Sequence, residues 1–157
     1  MLLLSQTYGY AVLALCCLNS EEEPPVLVRH IAECTGMPLP YLSKVMSDLK
    51  KAGLIIGRRG IKGGYAFSRP PEEITLMDVA EAVLGSEPLP DCLLGLTDPV
   101  TVRLCPMCDF WKVERLRIEA ELKRVTIAKA ASRMQRCCTG HDGCSLSVAD
   151  EPMLESI

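Results

Sequence analysis

Apolar side chains recur at helical spacing in six stretches of the chain, and one further stretch reads as a hairpin. In the first, Ser5 stands where an N-cap belongs, and Tyr8, Ala11, Val12, Leu15 and Leu18 make one stripe. Val26 to Cys34 predicts a second, short helix with Val28, Ile31 and Ala32 inward. Thr35-Gly36-Met37-Pro38 is a tight turn into the third, where Leu42, Val45, Met46 and Leu49 form one buried face. Tyr41, Ser43, Lys44, Ser47 and Lys51 lie on its other side. Pro38 and Pro40 fall in its first turn, where a missing N–H does little harm. Gly53 sits where a left-handed residue ends a helix. Leu54-Ile55-Ile56 and Tyr65-Ala66-Phe67 then predict two short paired strands around the tip Gly57 to Gly64.

Beyond Pro70-Pro71, Thr75 and Asp78 have capping-box spacing, with Leu76, Val79, Ala80 and Val83 inward and Gly85 as a stop. Ser86 to Leu104 lacks periodicity and reads as an irregular loop, longer than a compact domain holds without a purpose. A long helix follows from about Asp109 to Val125. Its stripe of Trp111, Ile118, Leu122 and Val125, widened by Val113, Leu116 and Ala120, predicts a partner helix from a second subunit. Thr126-Ile127-Ala128 opens a last short helix, and a mobile tail is expected from Arg136 onward. The domain plan is therefore a helix-and-hairpin unit over residues 1–85, a cysteine-bearing loop over 86–108, the long helix and its short follower over 109–133, and a disordered tail over 134–157.

Helix, short glycine-containing turn, helix and hairpin is the helix-turn-helix pattern, whose second helix enters a major groove with its amino-terminal residues at the base edges. Charge strengthens that reading. The net charge is −3, so bulk charge does not point to nucleic acid. Yet Lys44, Lys50, Lys51, Arg58, Arg59, Lys62 and Arg69 fall in one span whose only acid is Asp48. The tip glycines let backbone come close to a negative partner. Aromatic residues make up only 4%, too few for base-stacking platforms. No enzyme is expected, because nothing arranges a nucleophile with a base and an oxyanion site and there are only two histidines. His30 reads as a surface or packing residue.

Nine cysteines, an odd number with two adjacent pairs, do not suit a secreted disulfide scaffold. The apolar amino end has no Lys or Arg before Arg29, and no run reaches membrane-spanning length, so a reducing, cytoplasmic setting is expected. Cys16 and Cys17 read as small core residues.

Three sets of residues resemble the IscR/NsrR/CymR-type (Rrf-two) family of bacterial winged helix-turn-helix regulators. They are Leu4-Ser5 with Tyr8, Tyr10-Ala11-Val12 and Ala14-Leu15; Ile31-Ala32, Thr35-Gly36-Met37, Tyr41-Leu42 and Lys44 with Leu49 and Ala52-Gly53-Leu54; and Arg59-Gly60, Gly63-Gly64-Tyr65. Cys92 with Gly95, Cys105-Pro106, Cys108 and Trp111 extend the likeness to about residue 131. The resemblance implies a mainly helical fold with a small β-hairpin wing and a long C-terminal dimerisation helix. It implies a homodimer on a partly palindromic double-stranded operator, most simply as a repressor. Tyr41, Ser43 and Lys44 would face the major groove, and the wing residues Arg58, Arg59, Gly60, Lys62, Gly63 and Gly64 the minor groove and its phosphates.

Many members hold an iron–sulfur cluster, 2Fe-2S or 4Fe-4S, through cysteines in the loop before the dimer helix. The matching residues are Cys92, Cys105 and Cys108, an altered Cys-x12-Cys-x2-Cys set, because Thr97, Asp98 and Pro99 stand where the usual middle cysteine belongs. Tyr8 replaces a carboxylate ligand that some members use. Three thiols suit a cluster or zinc, and a thiol switch or no cofactor stays open. The fourth ligand is Asp98, Asp91, a tail residue or one from the second subunit. The tail set Cys137, Cys138, His141 and Cys144 matches no closed metal site. The competing functions are an iron–sulfur carrier or electron-transfer protein, a cluster-free member sensing a small molecule, and an adaptor binding another protein.

Overall fold

The computed structural model describes residues 5–20, 24–60 and 63–138. Within these residues, seven α-helices and one two-stranded sheet follow one another: α1 Gln6–Ser20, α2 Val28–Thr35, α3 Leu39–Lys51, β1 Ile55–Arg58, β2 Gly64–Phe67, α4 Leu76–Leu84, α5 Pro99–Arg103, α6 Cys108–Arg124 and α7 Ile127–Cys138. A single 3₁₀ turn, Pro71–Glu73, precedes α4.

Helix α1 is the centre of the molecule. It packs against α2, α3, α4 and α7, and Tyr8, Ala11, Ala14, Leu15, Cys16, Cys17 and Leu18 are all buried. That explains an amino-terminal helix apolar on more than one side: it faces neighbours all round. Burial pushes the Cys16 thiol up to about 12, so it stays protonated and inert at neutral pH.

Helices α2 and α3 are joined through Gly36 in the left-handed region (φ 67°), which only glycine adopts cheaply. Leu42, Val45, Met46 and Leu49 form the buried face of α3, as their spacing predicts. Strands β1 and β2 are antiparallel, with Ile55 opposite Phe67 and Arg58 opposite Gly64. Val26, expected in α2, instead bridges Tyr65 with two backbone hydrogen bonds of 2.8 Å and acts as a third strand-like edge. The Tyr65 amide and carbonyl are both satisfied this way, and α2 starts two residues later.

The Thr75–Asp78 capping box forms in both directions, at 3.1 and 2.8 Å. Thr75 also bridges Thr126, with Leu76 N–H donating to the Val125 carbonyl and Ile127 N–H to that of Ile74. Leu122 and Ile127 thus join the same core as α1 and α3.

Three expectations need correction. The 86–104 loop contains the short helix α5, with Asp98 accepting from the Val100 amide at its start. Helix α7 runs on to Cys138, so residues 134–138 are helical. The tail set of Cys144 and His141 lies outside the described residues. Third, the α6 stripe divides between two faces. At about 100° per residue, Trp111, Ile118 and Leu122 turn inward, while Phe110, Val113, Leu116 and Ala120 turn out on the opposite side. Phe110, Val113 and Leu116 are 55%, 49% and 67% exposed, whereas Trp111 and Leu122 are buried. The expected single stripe joined residues that cover this chain's own core to residues that are exposed among the described residues.

Candidate nucleic-acid interface and cysteine loop

Burying the apolar face of α3 turns Ser43, Lys44, Ser47, Lys50 and Lys51 to solvent. Lys51 pairs with Asp48 at 3.0 Å, which neutralises the one acid on this face. Tyr41 behaves differently. It is half-buried, its hydroxyl shares a 2.7 Å hydrogen bond with Thr7, and its ring meets Tyr10 edge-on at 5.5 Å. Helix α1 therefore fixes the direction of the Tyr41 side chain, leaving Ser43 and Lys44 as the freely projecting pair at the start of α3.

At the wing, Arg58, Arg59 and Gly60 are exposed, and Lys62 lies outside the described residues. Arg58 and Arg59 share a cleft of about 340 Å³ with Lys50, Gly57, Gly60 and Tyr65. Lys50 of α3 and Arg58 and Arg59 of the wing thus share one surface. Of the seven cations in the basic span, Arg69 leaves the patch: it pairs with Asp78 at 3.1 Å, on the α4 cap.

The wing glycines serve the fold first. A Cβ on Gly63 would lie 2.6 Å from the Arg58 carbonyl and 2.8 Å from that of Gly60. One on Gly64 would strike the Val26 carbonyl across the extra bridge. Gly63 is itself buried. Among the described residues of the tip, Arg58, Arg59 and Gly60 are open to a phosphate.

The second region of interest is the loop before α6. Cys92 and Cys105 are 3% and 7% exposed, and their Sγ atoms stand 3.8 Å apart. Burial raises the Cys92 thiol, but the backbone amides of Leu96, Leu94 and Gly95 together with the Cys105 thiol outweigh it and hold Cys92 below the ordinary thiol range. Cys92 also lines a cavity of about 660 Å³ with Asp91, Leu96, Thr97, Val102 and Arg103. The loop is pinned to α6 just before Cys92. Trp111 Nε1–H donates to the Pro90 carbonyl at 2.9 Å, and Arg115 binds Asp91 at 2.5 Å and Glu119 at 3.2 Å. The hydrogen bond to Asp91 raises Arg115 further. Asp91, a candidate fourth ligand, is engaged by a guanidinium.

The fit to a metal group follows from these donors. Cys92 and Cys105 are brought together; Cys108 is half-buried at the start of α6 and does not complete a set. Among the described residues, no three His, Cys, Asp or Glu side chains gather closely enough to hold a metal ion. Among the described residues, the two gathered thiols fall short of the four ligands that a cluster or a closed zinc site takes.

Sequence reading missed the Thr7–Tyr41 bond, the use of Val26 as a strand edge and the Trp111 and Arg115 anchors. Each joins distant segments, and no local motif marks it.

A glycine-linked helix pair, a basic hairpin packed on it and an exposed cationic cleft between them define a winged helix-turn-helix, the DNA-binding fold of a transcriptional regulator. The chain belongs to the Rrf2 family, described as iron-dependent transcriptional regulators, whose profile matches residues 4–133. It is 33% identical over 93 residues to a putative HTH-type transcriptional regulator of Aquifex aeolicus, covering 59% of this chain and 65% of that one. The chain thus spans a little less than two thirds of that relative's length. Among solved structures, CymR, the global cysteine regulator of B. subtilis, matches with a TM-score of 0.65 at 26% identity, covering 85% of this chain and 98% of CymR. T. potens IscR matches with a TM-score of 0.65 at 29% identity, covering 87% and 90%. Family and fold are those of regulators, not enzymes. Among the described residues, no helix is long and apolar enough to cross a membrane.

Proposed function

We propose that the protein is a homodimeric repressor that binds a partly palindromic operator, and that the cysteine loop over residues 86–108 sets its affinity for DNA. The observation that carries this reading is the cationic cleft shared by Lys50 of α3 and Arg58 and Arg59 of the wing. Ser43 and Lys44 enter the major groove. Tyr41, steered by Thr7, borders it. Arg58, Arg59 and Lys62 take phosphates beside the minor groove. The outward face of α6, Phe110, Val113, Leu116 and Ala120, meets the same face of a second copy, and the two-fold of that contact sets the two half-sites. The loop acts on this dimer helix through Trp111 and Arg115.

Selection of bound sequences from random duplex DNA tests the reading. Enrichment of a palindromic site, occupied by two chains and lost in Arg59→Ala, is the expected result. Placing that site across a promoter should silence a reporter. Uniform, sequence-independent binding would overturn it.

A second reading, an iron–sulfur cluster on Cys92, Cys105 and Cys108, is favoured by the family's iron-dependent description and by the amides facing Cys92. It requires Cys108 to move into a three-donor set. Iron and sulfide assays on protein purified without oxygen decide it.

A further inference from the structure

We propose that Cys92 and Cys105 are a peroxide-sensing dithiol, in which Cys92 is oxidised from the adjoining cavity and Cys105 closes an intramolecular disulfide. This deepens, and rests on, the reading of residues 86–108 as the loop that tunes DNA binding. The two sulfurs already touch at 3.8 Å. A disulfide needs about 2.05 Å, so the remaining approach is roughly 1.8 Å. Neither residue lies inside a helix: Cys92 precedes the turn at Gly95 (φ 73°), and Cys105 stands between α5 and α6. Small changes of side-chain torsion and turn geometry can therefore bring them together.

The two thiols are not equivalent. The cavity of about 660 Å³ has Cys92 on its wall, and Cys105 is not among its lining residues. A hydroperoxide in the cavity reaches Cys92 first, and Cys105 waits behind it. The Cys92 sulfur attacks one oxygen of hydrogen peroxide. The O–O bond breaks, an S–O bond forms, and the other oxygen leaves as water with the thiol proton. The Cys105 sulfur then attacks the Cys92 sulfenic sulfur, and the S–OH group leaves as water with the Cys105 proton. Two thiols lose two electrons and two protons, and one peroxide becomes two waters.

The consequence outside the loop follows from its anchors. Pro90 and Asp91 are held by Trp111 and Arg115, so a shift of Cys92 pulls on α6 directly. Trp111 is the chain's only tryptophan, and its fluorescence reports that shift.

The test uses the full-length protein, reduced and treated with a chelator. It is titrated with hydrogen peroxide, alkylated, and mapped by non-reducing peptide mass spectrometry while tryptophan emission is followed. The expected result is a Cys92–Cys105 link within one chain, appearing with the emission change and reversed by dithiothreitol. Cys105→Ser should stop at a Cys92 sulfenic acid that dimedone traps, and Cys92→Ser should lose both link and emission change. A link from Cys92 to Cys108 or to another chain, or both thiols remaining free, would overturn the proposal. The mapping on unmodified protein stands even where a variant folds poorly. Operator binding of the reduced protein, measured on the same samples, separates the two ideas. Binding without a disulfide overturns only the dithiol, and a disulfide without any operator binding overturns the regulator reading and with it the role assigned to the switch.

Discussion

Replacing Arg59 with Ala should lower the salt dependence of operator binding by a measurable step. Arg58, Arg59 and Lys62 take phosphates in the proposed complex, and Lys50 lines the same cleft as the two arginines. If each meets one phosphate, a dimer makes about eight such contacts, and log K should fall against log salt with a slope of about −7. Affinity would then drop about 10⁴-fold between 50 and 200 mM salt. Arg59→Ala removes two contacts per dimer, so the slope should fall to about −5 and the loss over the same range to about 10³-fold. Fluorescence anisotropy on a labelled operator duplex at four or five salt concentrations measures both slopes. Lys51→Ala is the internal control. Its charge is already paired with Asp48 at 3.0 Å, so its slope should stay closer to that of the unmodified protein. An Arg59→Ala slope equal to that of the unmodified protein, with affinity unchanged, would refute the placement of the wing on the phosphate backbone.

Other consequences are equally direct. Gly64→Ala places a methyl group on the Val26 carbonyl and should destabilise the fold by about 1–3 kcal/mol, seen as a lower melting temperature, together with weaker operator binding. Thr75→Ala removes the cap of α4 and should cost about 1 kcal/mol in urea unfolding, without changing operator contacts at low temperature. Leu116→Asp puts a charge on the outward face of α6 and should give a monomer by analytical ultracentrifugation. Cys16 and Tyr8 are both pushed up to about 12 by burial, so their folded-state values lie above the unfolded ones. The stability they contribute is complete below the unfolded values and is lost as pH climbs to about 12, where Cys16→Ala should flatten the decline of the melting temperature.

Whatever depends on neighbours a few residues apart was readable from the chain alone. The α3 stripe, the left-handed stop at Gly53 and the Thr75–Asp78 box are local devices set by helical period and backbone geometry. The segregation of Lys44, Lys50, Arg58 and Arg59 along the chain was equally plain. Tertiary structure decided what those devices face. It took Arg69 out of the basic patch to pair with Asp78 and tied Tyr41 to Thr7. It divided the α6 residues between this chain's core and a face exposed among the described residues. It brought the Cys92 thiol against that of Cys105 without gathering a third donor among the described residues, although Cys105 and Cys108 are the closer pair in sequence. Periodicity states which side of an element is apolar, but contacts between segments that are far apart in the chain depend on how whole elements pack, and that information is spread over the entire core.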